Sequence, residues 1–279
     1  MQDLRITLLQ VSQFWENKQQ NEEYFNALIS EIAPSDLILL PEMFHTGFSM
    51  NTKDLAEKMS DSRGLEWLKK WAKQNQAAFY TSLIIEEAGL FFNRGVFVLP
   101  TEEIEVYDKQ KLFGLGGEAQ DFTPGTNSKI VTYLGWKIKL QICYDLRFPE
   151  LARNKIVDGK PAYDVLLYVA NWPKSRIAHW DTLLKARAIE NQCYVVAVNR
   201  VGADGNGLFY NGHSSIYHPN GEQLMSFKED EEGHKSTAIN YQELLDIRKA
   251  GGASYVINEA NISILEDLLN GTAESKQPI

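Results

Sequence analysis

The chain has 279 residues, of which 44% are hydrophobic and 23% charged, and its formal net charge is −9. This composition is typical of a globular protein, and a chain of this length can bury about three quarters of its unfolded surface without disulfides or metals. The acidic balance makes nucleic acid or an anionic membrane surface an unfavourable partner.

Targeting, cysteine and metal signals are sparse. No apolar run reaches the roughly 18 residues of a membrane span, and the N-terminus leads into a strand pattern without a signal-peptide core. Cys143 and Cys193 are the only cysteines, too few for a disulfide framework, and they suit a reducing, cytoplasmic setting. The five histidines are scattered, so we expect no metal site and no cofactor.

Two hydrophobic periods alternate along the chain. Alternating or continuously apolar runs predict strands, in chain order, at Arg5–Gln10, Leu37–Leu40, Phe79–Glu86, Gly95–Leu99, Lys137–Ile142, Val165–Ala170, Tyr194–Val198 and Ser214–Tyr217. A helical period predicts helices at Asn17–Ile32, Arg63–Asn75, Pro149–Val157, Ser175–Asn191 and Tyr241–Lys249.

The strand patterns indicate a layered fold. Leu37–Leu40 and Val165–Val169 are apolar throughout, which is typical of strands covered on both faces. Short turns at Glu87-Ala88-Gly89 and Asn220-Gly221 indicate hairpins. We therefore predict one α/β domain over residues 1–271, an αββα sandwich of two mixed sheets packed face to face with helices outside, followed by a polar tail at 272–279.

Cys143 is the most unusual residue by position. It ends the strand Lys137–Ile142, and Pro149 follows where a helix can begin. Backbone N–H groups after such a strand-to-helix junction point toward anything attached to the sulfur, which is how main chain forms an oxyanion site. A cysteine taken alone is more often buried and inert, and Cys193, at the start of an apolar strand, is such a case.

Two further strand ends carry charged side chains. Glu42 follows an apolar strand and Pro41, and an apolar surrounding would raise its pKa into the range of a general base. Lys109 ends the run Ile104–Lys109, where an ammonium can stabilise an oxyanion. Each residue alone could equally be solvated. In an extended chain Lys111 would point to the same side as Lys109, so the choice between the two lysines is open. The three strand ends are more informative together.

In the order Glu, Lys, Cys, these segments resemble the nitrilase, or carbon–nitrogen hydrolase, superfamily. The resemblance runs from Arg5 to about Lys249, and its motifs are Pro41-Glu42, Lys109-Gln110-Lys111-Leu112-Phe113 and Cys143-Tyr144-Asp145-Leu146-Arg147-Phe148-Pro149-Glu150. It implies a catalytic triad of Glu42, Lys109 and Cys143 on an αββα sandwich, and it selects Lys109 over Lys111. Lys111 is a departure, because the family usually has histidine there. Glu118 would match a second family glutamate that positions substrate and lysine.

The run from Tyr168 to Tyr210 is similar to the bacterial ω-amidases. The similarity lies in Tyr168–Pro173, His179-Trp180, Ala186–Gln192 and Asn199–Gly207. It implies hydrolysis of the terminal amide of 2-oxoglutaramate or 2-oxosuccinamate, with a cysteine thioester and release of ammonia. In that scheme the backbone N–H of Tyr144 joins Lys109 in holding the oxyanion.

The substrate-binding residues are predicted less directly. Arg147 and Arg176 are the candidates for binding the far carboxylate of a dicarboxylate-like substrate, since guanidinium binds carboxylate with two parallel hydrogen bonds. For Arg147, an ion pair with Asp145 or Glu150 is the competing interpretation. The aromatic residues after the catalytic strand ends are predicted to wall a small pocket, with core packing as the alternative: Phe44, Phe113, Tyr144 and Trp172.

Alternative functions remain open at this point. The same chemistry admits a nitrilase proper, a carbamoylase or another aliphatic amidase, and a catalytically silent interaction module is the alternative from a different class. A papain-like thiol protease is disfavoured, because the cysteine lacks that family's cysteine–histidine context. The resemblance also implies a homodimer whose other partners are a small amide substrate and water.

Overall fold

The computed structural model describes residues 1–251; the tail predicted at 272–279 and the end of the predicted domain lie outside them. The strands are β1 Leu4–Gln10, β2 Leu37–Leu39, β3 Ala78–Glu87, β4 Leu90–Val98, β5 Ile104–Asp108, β6 Ile130–Tyr133, β7 Trp136–Ile142, β8 Ile156–Val157, β9 Lys160–Pro161, β10 Val165–Ala170, β11 Tyr194–Asn199, β12 Val201–Ala203, β13 Phe209–Asn211, β14 Ser215–Tyr217, β15 Gln223–Ser226 and β16 Gly233–Ile239. The helices are α1 Lys18–Ile29, α2 Thr52–Leu55, α3 Arg63–Asn75, α4 Glu118–Asp121, α5 Pro149–Ala152, α6 Ile177–Asn191 and α7 Tyr241–Gly251.

Two six-stranded mixed sheets form the framework. The first has the order β16-β1-β2-β3-β4-β5, with β1, β2 and β3 parallel and the remaining pairs antiparallel. The second has the order β15-β14-β11-β10-β7-β6, with β7, β10 and β11 parallel. The fold class predicted from the sequence is confirmed.

Side chains of the first sheet are divided between two separate clusters of buried residues, which explains why its strand β2 is apolar throughout. Successive side chains of a strand point to opposite faces. Leu8 of β1 therefore packs between the sheets with Leu140 of β7, whereas Leu9 packs on the outer face with Phe25 of α1 and Leu68 of α3. Each such side chain, when fully buried, stabilises the fold by about 1.5–3 kcal/mol.

Helix α3 shows how local sequence fixes an element. Ser62 caps its N-terminus by accepting a hydrogen bond from the backbone N–H of Leu65 at 3.0 Å, and Gln76 ends it in the left-handed conformation, with φ of 52°. Its buried residues include Leu65, Leu68 and Ala72, which share one face at helical spacing. The predicted bounds, Arg63–Asn75, are confirmed.

The predicted helix Pro149–Val157 is wrong in its second half. It ends at Ala152, and β8 and β9 follow as a small hairpin. The turn of that hairpin is Asp158-Gly159, whose φ angles of 50° and 73° suit the two-residue turn that Asp-Gly favours. Buried Asn154 also stops the helix, because its side chain donates to the carbonyl oxygens of Tyr163 and Asn191 at 2.9 and 3.1 Å.

The predicted strand Gly95–Leu99 begins earlier, at Leu90, because Ala88 and Gly89 with positive φ form a tight turn directly after β3. Within residues 1–251, no helix has the length and apolar character needed to cross a membrane.

Candidate active site

Three strand ends meet in one buried cluster. Glu42 follows β2, Lys109 follows β5 and Cys143 follows β7. Glu42 and Lys109 are fully buried, and Cys143 is 7% exposed. Glu118, at the start of the short helix α4, is also fully buried beside them.

Lys109 stands between two carboxylates. Its Nζ donates to Glu42 Oε1 at 2.8 Å and lies 2.9 Å from both carboxylate oxygens of Glu118. Asn93 Nδ2 donates to both glutamates, at 2.8 Å to Glu42 and 2.9 Å to Glu118. Burial lowers the pKa of the lysine, but the two carboxylates outweigh burial and raise it, so Lys109 carries its charge at any physiological pH.

Asn171 connects the carboxylate to the thiol. Its backbone N–H donates to Glu42 Oε2 at 2.9 Å, and its side-chain amide donates to the backbone oxygen of Glu42 at 2.6 Å. Its own carbonyl oxygen lies 3.9 Å from Cys143 Sγ. Asn171 therefore fixes the orientation of Glu42 relative to Cys143, a positioning contact that no residue pattern predicted.

The backbone turns sharply at Cys143. The residue has a φ of 44°, which is uncommon outside glycine, and it begins a 3-10 turn over Cys143–Arg147. The first N–H groups of such a turn have no acceptor within it. The backbone N–H of Tyr144, the second residue of the turn, therefore has no acceptor within the turn.

Asp145 holds this turn in place from inside the protein. Its carboxylate accepts hydrogen bonds from Ile142 N at 3.0 Å, Tyr107 Oη at 2.8 Å and Lys111 N at 2.9 Å. Burial raises its pKa to about 6, although these three donors act in the opposite direction. Asp145 thereby ties the nucleophile turn to the segment that carries the lysine.

The thiol of Cys143 is protonated at rest. Burial and the nearby Glu42 carboxylate raise its pKa well above the usual value, and the opposing effect of Lys109 is smaller than these two together. Nucleophilic attack by this thiol would therefore require a group that removes its proton.

A cavity of about 560 Å³ opens over Cys143. This volume falls in the range of small-molecule sites. Its lining includes four residues predicted from the sequence, namely Phe113, Tyr144, Trp172 and Arg176.

The two candidate arginines differ in placement. Arg176 lines the cavity with its guanidinium 4.8 Å from the Phe113 ring centre, and it has no ion-pair partner within residues 1–251. Arg147 does not line the cavity; its Nη2 lies 2.5 Å from His179 Nδ1, and its guanidinium stacks 5.5 Å from the Trp172 ring. The competing interpretation for Arg147, an ion pair with Asp145 or Glu150, is also wrong within the described chain.

Phe44 requires a correction. It is fully buried in the outer cluster, stacked on His45 and packed against Phe25 and Trp67, and it does not line the cavity. Met43, with a φ of 48°, turns the chain directly after Glu42, so Glu42 enters the site while Phe44 faces the helices.

Lys111, which replaces the usual family histidine, directs its side chain away from the triad. Its Nζ lies 3.5 Å from a carboxylate oxygen of Glu150 and 4.6 Å from the Phe148 ring centre.

Further residues of the cavity wall come from segments that the prediction did not use. Trp15 and Glu16 follow β1, and the wall also includes Phe48, Asp204 and Tyr210 of β13. The signal that could have found the first pair is the one that found Glu42. β1 is the parallel neighbour of β2, so residues after both strands reach the same edge of the sheet.

Comparison with known proteins agrees with this geometry. Residues 5–249 match the carbon-nitrogen hydrolase family. An omega-amidase YafV of Yersinia enterocolitica is 43% identical over 80% of this chain and 84% of that protein. A 2-oxoglutaramate amidase of Bacillus subtilis is 34% identical over 77% and 82%. The crystal structure of a CN-hydrolase superfamily protein of Xanthomonas campestris, with an arsenic adduct in its active site, superposes with a TM-score of 0.87 at 37% identity, covering 99% of this chain and all of that one.

Proposed function

Since the chain belongs to the carbon–nitrogen hydrolase family and is a hydrolase of carbon–nitrogen bonds other than peptide bonds, we propose that its substrate is a small ω-amide such as 2-oxoglutaramate or 2-oxosuccinamate. The observation that carries the proposal is the buried cluster of Glu42, Lys109 and Cys143 beneath a cavity lined by Arg176, which has no ion-pair partner in the part of the chain that the structure describes. The omega-amidase and 2-oxoglutaramate amidase relatives support the substrate class.

The first half of the reaction forms a thioester. Cys143 Sγ attacks the terminal amide carbon as its proton passes to Glu42, and a tetrahedral oxyanion results. The oxyanion is held by the Lys109 ammonium and the Tyr144 backbone N–H. The C–N bond then breaks, the amide nitrogen takes the proton from Glu42, and ammonia leaves.

The second half releases the acid. Glu42 accepts a proton from water as the water oxygen attacks the thioester carbon. The C–S bond breaks, the sulfur regains the proton from Glu42, and the free carboxylic acid departs. Glu118 has a positioning role, because it accepts hydrogen bonds from Lys109 and from the backbone N–H of Phe113 at 2.7 Å.

The far carboxylate of the substrate is assigned to Arg176. Its guanidinium lines the cavity, pairs with no carboxylate of residues 1–251 and can form two parallel hydrogen bonds with that group. Phe113 lies beneath this guanidinium and, with Trp172, completes a wall against the acyl chain. Arg147 supports that wall by stacking on Trp172.

Variants of the triad test the mechanism. Cys143→Ala and Glu42→Gln should each lower kcat for 2-oxoglutaramate hydrolysis at least about a thousandfold, measured as ammonia release. Cys193→Ala is the matched control, because Cys193 is fully buried directly before β11 and lines no part of the cavity. Near-normal turnover by either triad variant would overturn the scheme.

A substrate panel tests the substrate class. Ammonia release should be greatest with ω-amides of 2-oxo acids and much lower with nitriles and N-carbamoyl amino acids. A preference for nitriles would contradict the proposal that the enzyme is an amidase. Absence of turnover with the whole panel, together with a Cys143 that resists alkylation, would favour a silent interaction module instead.

We also propose one domain over residues 1–271, a cytoplasmic setting and a homodimer. The free thiol required by the mechanism suits a reducing compartment. Light scattering at micromolar concentration that gives the monomer mass would contradict the dimer.

A further inference from the structure

Trp15 belongs to a part of the cavity wall that carries none of the reacting groups. It is half-buried on the loop after β1 and lines the cavity, whereas the triad follows β2, β5 and β7. A change at Trp15 can therefore alter which substrates fit without altering the chemistry.

Two glycines hold the indole of Trp15. A Cβ atom at Gly205 would lie 2.4 Å from both Cδ1 and Nε1, and a Cβ atom at Gly47 would lie 3.3 Å from Cε3. These ring atoms are at opposite ends of the indole. We call Gly47 and Gly205 the Trp15 slot.

Gly205 is informative because its backbone does not demand glycine. Gly47 has a φ of 74°, a conformation that favours glycine by itself, but Gly205 is outside the left-handed region. What excludes a side chain at Gly205 is the indole, since real Cβ atoms do not approach other heavy atoms to 2.4 Å.

A buried cation fastens the loop of Trp15 to the Gly205 side of the slot. Arg200 is fully buried; its Nη2 donates to the carbonyl oxygens of Gln13 at 3.4 Å and Ala203 at 3.0 Å. Gln13 lies on the loop that carries Trp15, and Ala203 lies on the chain that leads into Gly205. The two loops are thereby bound to one side chain, which limits how far the loop of Trp15 can move from Gly205.

We propose that Trp15 is a specificity-determining residue that limits the length of the acyl chain accepted by this enzyme. The inference rests on the proposed function and deepens it. Linear ω-amides with four or five carbons fit beside the indole, and chains with six or seven carbons meet it.

The test uses the linear monoamides of dicarboxylic acids with four to seven carbons. Trp15→Ala should raise the ratio of kcat/KM for the six-carbon amide to that for the five-carbon amide by about 10- to 200-fold, the range for one methylene in an apolar pocket. Phe14→Ala is the matched control. Phe14 is the neighbouring aromatic residue, is 44% exposed and does not line the cavity, so the ratio should stay unchanged.

A double-mutant cycle tests the slot itself. Gly205→Ala should push the indole toward the substrate and lower kcat/KM most for the longest amides. Adding Trp15→Phe should restore activity, because the smaller ring leaves room for the new methyl group. Additive effects of the two substitutions would contradict direct packing of Gly205 against the Trp15 indole.

An unchanged chain-length ratio in Trp15→Ala at wild-type Tm would overturn the limit. If that variant does not fold, Trp15→Phe is used instead. A smaller increase in the chain-length ratio is then expected, and an unchanged ratio would contradict the proposed limit on acyl-chain length. If the wild type hydrolyses neither the monoamides nor 2-oxoglutaramate, the proposed function fails. The ratio is then measured on linear nitriles or N-carbamoyl acids that it does hydrolyse.

Discussion

Asp145 is a buried acid whose titration should be visible in the stability of the whole protein. Burial raises its pKa from the usual 3.8 to about 6. Because the folded-state pKa is the higher one, proton binding by Asp145 adds stability that is complete below about pH 4 and is lost as the pH rises through about 6. The full difference corresponds to roughly 3 kcal/mol, of which about 2 kcal/mol should appear between pH 7.5 and pH 4.5.

Asp145→Asn removes the titrating carboxyl group while keeping the shape of the side chain. We expect the free energy of unfolding of the wild type, minus that of the variant, to be about 2 kcal/mol larger at pH 4.5 than at pH 7.5. Urea unfolding at both pH values measures it, with Asp246→Asn on the exposed face of α7 as the control. A difference that does not change with pH would refute the reasoning.

Three further predictions concern the groups around the thiol. Glu42→Gln should slow alkylation of Cys143 by acrylamide at pH 7 at least about tenfold, because the loss of the base outweighs the lower thiol pKa expected without the carboxylate. Peptide mass spectrometry gives the rates, and equal rates would contradict this. Lys109→Met should lower the free energy of unfolding by about 3–5 kcal/mol, because two buried carboxylates lose their cation. Adding Glu118→Gln should recover part of that loss, and additive losses in urea unfolding would be inconsistent with a shared cation. Lys111→His should keep kcat near the wild-type value, whereas Lys111→Pro should lower kcat at least about tenfold, because proline lacks the backbone N–H that binds Asp145. Ammonia release measures both values, and equal activities would argue against the backbone contact.

The strand ends could be predicted because their physics is local. Continuously apolar runs such as Leu37–Leu39 and Val165–Ala170 require covered faces, and the polar residue after such a run must lie where the strand leaves the sheet. Glu42 and Cys143 were found as candidates in this way, whereas the strand end left Lys109 and Lys111 open and the family resemblance selected Lys109. The apolar patterns also gave the two-sheet architecture, since strands covered on both faces and helices with one apolar face have few ways to pack.

Contacts between distant segments could not be predicted in this way. Asn171 reaches Glu42 across 129 positions of sequence, and nothing local distinguishes it from other asparagines after strands. Phe44 was misplaced because one residue with positive φ, Met43, reverses which side its neighbours face. Strand β16 was missed for a different reason, because it is a polar edge strand whose register is fixed by pairing with β1.

The position of Lys109 decides which charge it can stabilise. A papain-type site lowers the pKa of its thiol by placing a cation beside it. Here the ammonium already donates to Glu42 and Glu118, and the thiol pKa is raised by burial and by Glu42. The resting enzyme therefore holds a neutral thiol. Glu118 also accepts hydrogen bonds from Asn93 and from the backbone N–H of Phe113, so it keeps two donors when a lysine N–H turns toward the oxyanion of the proposed mechanism. In that mechanism the positive charge acts on the transition state more than on the ground state, which is the condition for it to increase the rate.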